Sequence, residues 1–134
     1  MIDEADFVTT ETDDVIISAC PQLIDENSSR LMWGYYMCIE NQSNEKIRLV
    51  GKNWNITDDR GNHYQDDTVG FKGEIPELEP GEFYEFTSEA PLRSNNAVFY
   101  GSCKIARGAH VKDVKIPTFS LAAIKSGVNS VIMN

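Results

Sequence analysis

Between Leu31 and Asn41 the chain alternates with a period of two. Trp33, Tyr35, Met37 and Ile39 fall on one side, and Gly34, Tyr36, Cys38 and Glu40 on the other. An extended strand with one apolar and one mixed face presents side chains in that order; a helix does not. Comparable spacing recurs in Ile47–Leu49, Trp54–Ile56, Tyr84–Phe86, Ala97–Ile105 and Val111–Ile116, and a β-branched run covers Val15–Cys20 up to Pro21. Turn-forming clusters separate the runs at 25–29, 41–44, 58–62, Pro80-Gly81 and Arg107-Gly108. Between Leu49 and Trp54 the apolar parity flips, with Gly51 in the gap, which a β-bulge accounts for. No run before residue 119 has helical spacing. Short strands with a turn signal every roughly eight to twelve residues specify an all-β fold, an antiparallel β-sandwich of about seven or eight strands. Its expected core is Trp33, Tyr35, Met37, Ile39, Trp54, Ile56, Tyr84, Phe86, Phe99 and Cys103.

At 134 residues the chain fits a single domain, 1–134, with neither an internal repeat nor a linker. Twelve basic residues stand against 21 acidic ones, a net charge of −9. That excludes general binding to nucleic acid or to an anionic membrane, both of which require a basic face. The apolar stretch Val15–Cys20 is far too short to span a bilayer. The acidic first fourteen residues are the opposite of a secretory leader, so a cytoplasmic location is expected. Cys20, Cys38 and Cys103 are odd in number, form no C-x-x-C pair and sit in apolar runs. They are expected to be reduced, buried and structural.

No constellation for catalysis is visible. There is no G-x-S-x-G turn, and His63 and His110 lack the closely spaced Cys or His partners of a zinc site. No catalytic residue, metal ligand or cofactor is therefore assigned. Asp58, Asp59, Asp66 and Asp67 flank a hairpin with His63 between them, a set of oxygens able to approach a hard cation. Their spacing matches no EF-hand loop, and solvated turn aspartates are the simpler reading. The segment 66–80 is the longest connection and carries Gly70, Gly73, Pro76 and Pro80. Connections of that length often carry function, so an exposed, mobile recognition loop is expected. Glycines let backbone N–H groups converge on an anion, and Lys72 adds charge. The helix that completes a nucleotide-binding loop is missing, however. Near the C-terminus Lys104, Arg107, Lys112, Lys115 and Lys125 face only Asp113. This basic hairpin suits either an acidic partner or, more simply, the acidic N-terminal strand.

Several segments carry a family resemblance. They are Met37-Cys38-Ile39-Glu40-Asn41, Trp54-Asn55-Ile56-Thr57-Asp58, Gly70-Phe71-Lys72-Gly73-Glu74-Ile75-Pro76, Leu78-Glu79-Pro80-Gly81-Glu82, Phe86-Thr87-Ser88, Gly101-Ser102 and Ile116-Pro117-Thr118-Phe119-Ser120-Leu121. In that order and spacing, over about residues 18–121, the chain resembles the bacterial ApaG family; 122–134 is an additional tail, read as a short helix, an edge strand or a fraying terminus. The resemblance implies a fibronectin type III-like sandwich. It also implies a genetic link to cobalt resistance and magnesium efflux, without catalysis. Similar domains in eukaryotic F-box proteins and a polymerase-interacting protein recognise protein partners. The family's G-x-G-x-x-G signature corresponds here to Thr68-Val69-Gly70-Phe71-Lys72-Gly73, with Thr68 in place of the first glycine. The candidate ligand-binding residues are Gly70, Phe71, Lys72 and Gly73, together with Lys52, where the family commonly has arginine. The expected function is a non-enzymatic, protein-binding domain. The alternative is a small-ligand module for pyrophosphate, a nucleotide or a divalent cation, with anion binding no tighter than about millimolar. Pairing of an edge strand into a homodimer stays open.

Overall fold

The period-two runs pair as expected. A computed structural model describes residues 7–25, 31–92 and 96–122. Ten strands lie within them: β1 (Val8–Thr12), β2 (Val15–Asp25), β3 (Leu31–Asn41), β4 (Ile47–Asp58), β5 (His63–Asp66), β6 (Glu77–Leu78), β7 (Phe83–Leu92), β8 (Asn96–Arg107), β9 (His110–Lys115) and β10 (Phe119–Ala122). One sheet has the order β1-β2-β3-β7 and the other β10-β8-β4-β5, with β6 beside β4 and β9 beside β8. Every pairing is antiparallel. The two sheets face each other across one core, the sandwich that the alternation requires.

Three short edge pieces raise the strand count above the expected seven or eight. β1 is joined to β2 by Asp13-Asp14, both in the left-handed region at φ 51° and 62°. Aspartate tolerates that region because its short side chain bonds locally, so the tight turn needs no glycine. β6 is two residues long, and β10 extends the chain along β8 as an edge strand. β10 ends at Ala122, the first residue of the tail; residues 123–134, on which the readings of the tail fall, lie outside the described residues. Pro21 does not end its strand either. β2 runs through it to Asp25: among the described residues β1 pairs with β2 only as far as Ala19, so no ladder bond there asks for the N–H that proline lacks.

The core follows strand parity. Tyr35, Met37, Ile39, Trp54, Phe99 and Cys103 are buried, while Ile56, Tyr84 and Phe86 pack partly buried against them. The side chain of Trp33 lies outside the described residues. The bulge falls between Leu49 and Gly51, where the register of β4 against β8 shifts by one. That shift lets Ile47, Leu49 and Trp54 all point inward despite their opposite parity. Cys20 and Cys103 are buried, but Cys38 is only half-buried. It occupies an even position of β3, on the outer face, so the expectation of three buried thiols fails there. Asn41, fully buried at the end of β3, is satisfied on both sides. Its Nδ2 donates to the carbonyls of Glu45 and Leu78, and its Oδ1 accepts from the Ser43 amide and hydroxyl. Its backbone bonds to Glu82 and Gly81 fix the turn that launches β7.

Candidate functional site

The segment between β5 and β6 is laced to β4 rather than free. The Lys52 amide donates to Thr68 O, the Gly70 amide to Val50 O at 2.6 Å, and the Leu49 amide to Pro76 O. Within the segment Phe71 and Glu74 exchange both backbone bonds, at 2.7 and 3.0 Å, around Lys72 and Gly73. Lys72 at φ 51° and Gly73 at φ 83° give this turn the two positive φ angles of a type I′ hairpin. Gly70 is required for a second reason: a Cβ there would lie 2.4 Å from the Glu74 carbonyl oxygen. The segment is largely exposed, bonded to β4 along its length and closed by a two-residue hairpin at its tip.

The five candidate residues do not share one role. Phe71 is a core residue, 1% exposed, with its ring 5.8 Å from Trp54, 5.8 Å from Phe86 and 6.0 Å from Tyr84. It anchors the segment and offers no ring face to a partner. Lys52 crosses over Trp54 and Phe71, its Nζ 5.5 and 5.0 Å from the ring centres, and donates to Gly70 O at 2.8 Å. Lys72 reaches the other way, over Phe86 at 6.0 Å, and donates to Thr87 O of β7 at 2.5 Å. Gly70 and Gly73 shape the backbone. The amides of Thr68, Gly70, Phe71 and Glu74 all donate within the chain, the first to Asp66 Oδ1. Of these four donors, Phe71 and Glu74 close the hairpin, Gly70 ties it to β4 and Thr68 turns back to Asp66.

Lys52, Phe71, Lys72 and Gly73 do meet around one cleft of about 380 Å³, open between β4 and β7. Its other walls include Tyr35, Trp54, Phe86 and Ser88, with Asp66 and Thr68 at the rim. The alternation that placed Tyr35, Trp54 and Phe86 in the core also brought them to this opening, which sequence alone could not show. Burial pushes the Tyr35 hydroxyl up to about 12, with Ser88 pulling slightly the other way, so it stays protonated across the physiological range. Cys103 behind the cleft is likewise pushed up to about 12 by burial and is inert as a nucleophile.

Asp58 and Asp66 are occupied locally. Asp58 Oδ1 accepts from the amides of Arg60 and Asn62, and its Oδ2 accepts from Asn62 Nδ2. Burial alone would raise its carboxyl, but these bonds outweigh it and hold the group below the ordinary value of 3.8. Asp66 Oδ1 accepts from Thr68 Oγ1 at 2.8 Å, and His63 Nε2 lies 3.0 Å from Asn55 Oδ1. Among the described residues no group of three or more His, Cys, Asp or Glu is placed to hold a metal ion. The basic hairpin meets the acidic N-terminal hairpin. Arg107 Nη2 donates to Asp13 O, Lys112 Nζ lies 3.4 Å from Asp13 Oδ2, and Thr10 Oγ1 donates to Lys115 O. Among the described residues no helix is long and apolar enough to cross a membrane.

This arrangement is shared with known proteins. Residues 21–107, which hold the cleft and the glycine hairpin, match the family model of the ApaG domain. An ApaG protein of Allorhizobium ampelinum is 40% identical over 98 residues, covering 72% of this chain and 75% of that protein. One from Rhizobium meliloti is 37% identical over 115 residues, covering 82% and 88%. Among solved structures, an ApaA protein from Bordetella pertussis superposes with a TM-score of 0.77 at 25% identity, over 84% of this chain and 96% of that one. The C-terminal domain of Wzt shares the fold alone, with a TM-score of 0.57 at 15% identity over 90% and 79%. With the domain match spanning most of both sheets and relatives above 30% identity over three quarters or more of their length, the chain belongs to the ApaG family.

Proposed function

We propose that this ApaG protein is a non-catalytic recognition domain. It binds a protein partner on the side of the sandwich formed by the 66–78 segment and β7. The observation that carries this reading is the state of the would-be anion site: both lysines and four amides are engaged by the chain itself. A phosphate arriving there would have to displace those bonds, and Asp66 at the rim and Glu74 in the hairpin would repel it. A protein surface needs no such displacement and finds Val69, 76% exposed, and Phe83, 55% exposed, on the same side. The role in Co²⁺ and Mg²⁺ homeostasis implied by the family resemblance then runs through the partner. The second reading, a pyrophosphate or nucleotide module, is favoured by one observation only, the meeting of Lys52 and Lys72 at one cleft.

Titration calorimetry separates the two readings. Pyrophosphate, ATP, Mg²⁺ and Co²⁺ are each expected to bind no tighter than about millimolar, near −4 kcal/mol. A partner captured by the intact chain is expected to be lost in a Val69→Asp, Phe83→Asp variant that retains its melting temperature. A micromolar pyrophosphate constant abolished by Lys72→Ala would replace the protein-recognition reading with the small-ligand one.

A further inference from the structure

Among the described residues, three of the four strands that end the sheet orders blunt their edges by being short: β1 has five residues, β5 four and β10 four. β7 has ten and lies at the edge of its sheet. Long uncovered edges are templates for another strand, so natural sheets rarely keep one without a use. The register shows which groups β7 offers. The Asn41 amide donates to Glu82 O at 2.9 Å, so the even-numbered residues of β7 bond inward to β3. The N–H and C=O groups of Phe83, Glu85, Thr87 and Glu89 therefore face the open side. Lys72 supports this, because its ammonium takes the Thr87 carbonyl at the place where a partner strand would donate an N–H.

The side chains along this edge define what would fit. Glu85, Thr87 and Glu89 are exposed on the outer face, while Phe86 and Ser88 point inward and line the cleft. A second copy of this chain paired antiparallel about Thr87 would set Glu85 against Glu89 twice, and like charges directly opposite destabilise a strand pair. We propose that β7 is a strand-addition site for an extended, basic segment of another protein. That segment carries Lys or Arg opposite Glu85 and Glu89 and apolar side chains opposite Phe86 and Ser88, facing the aromatic cleft. Lys72 occupies the edge in the unbound protein and gives up the Thr87 carbonyl when the segment docks. The inference rests on the protein-recognition reading and adds the binding mode and the chemistry of the partner.

The test is a titration of ¹⁵N-labelled protein with the peptide acetyl-Lys-Val-Thr-Val-Lys-Val-Thr-amide and with its Glu-for-Lys counterpart. The Lys peptide is expected to shift the amides of Phe83, Glu85, Thr87 and Glu89 and slow their hydrogen exchange. Glu85→Lys with Glu89→Lys, checked for native amide dispersion, should weaken the Lys peptide about tenfold and strengthen the Glu peptide. Lys72→Ala should tighten the Lys peptide about fivefold by removing a competitor for Thr87 O. Shifts that miss the odd residues of β7, or binding unchanged by charge reversal, would overturn the strand-addition site. A captured partner still lost in the Val69→Asp, Phe83→Asp variant but unaffected by Glu85→Lys with Glu89→Lys would leave the broader reading standing and remove only this one.

Discussion

Phe71 holds the side of the sandwich together. It is the one large aromatic contributed by the 66–78 segment, and it is inserted among Trp54, Tyr84 and Phe86. Its two neighbours, Gly70 and Lys72, have positive φ, so the backbone on both sides is bent to deliver that ring. Phe71→Ala is expected to cost about 3–5 kcal/mol through the cavity it leaves, whereas Val69→Ala, two residues away and exposed, should stay within about 0.5 kcal/mol. Urea unfolding of the two variants checks this. Equal losses would mean that the ring is not packed as described. Lys52 and Lys72 act beside it as straps, each combining an aromatic face with a backbone carbonyl.

The β4–β5 hairpin shows how one side chain sets an element. Asp58 sits at the end of β4 and collects three hydrogen bonds from the turn that reverses the chain. Because its carboxyl is held below 3.8 in the folded protein, its contribution is full above the unfolded value and disappears as pH falls through the folded one. Asp58→Asn should therefore be less stable than the parent at neutral pH, with the gap closing on acidification below about pH 4. Denaturant titrations across the acid range measure it; a gap independent of pH would show that the turn does not depend on the ionised group. The β1–β2 hairpin uses Asp13 differently. Its carbonyl and carboxylate receive Arg107 and Lys112 from the far sheet, closing the side of the sandwich opposite β7.

Across the whole molecule the two sides are closed by different means. One is tied through the Asp13 cluster, the other by the Phe71 anchor and its flanking lysines, and the long β7 edge lies on the second. The thiols report on opening of the core between them. Cys103 is fully buried in the central strand β8, so a thiol reagent should reach it only through global unfolding. Cys38, half-buried on the outer face of β3, should react faster in the native protein. Labelling kinetics followed by mass spectrometry give the order, and Cys103 reacting first would place the mobile part of the molecule at β8.

What the sequence determined by itself was everything carried by parity and turn chemistry. Alternation in Leu31–Asn41 and the runs that follow it fixes which face of each strand is inward, and Gly51 marks the bulge, because a one-residue slip would expose an entire apolar face. Cys38 follows its even position on β3 and not its apolar neighbourhood, and so lies half-buried on the outer face. The turn that sets β1 against β2 is harder to read, because Asp13-Asp14 carries no glycine. The site was legible in part: Lys52 and Lys72 do reach one cleft, at positions the resemblance had marked. Only the tertiary structure decided their partners. Whether a lysine meets a phosphate or a carbonyl, and whether Phe71 faces solvent or Trp54, depends on contacts between residues far apart in the chain. The open edge of β7 belongs to the same class. No residue encodes an edge; it exists because the strand order of the sheet ends there.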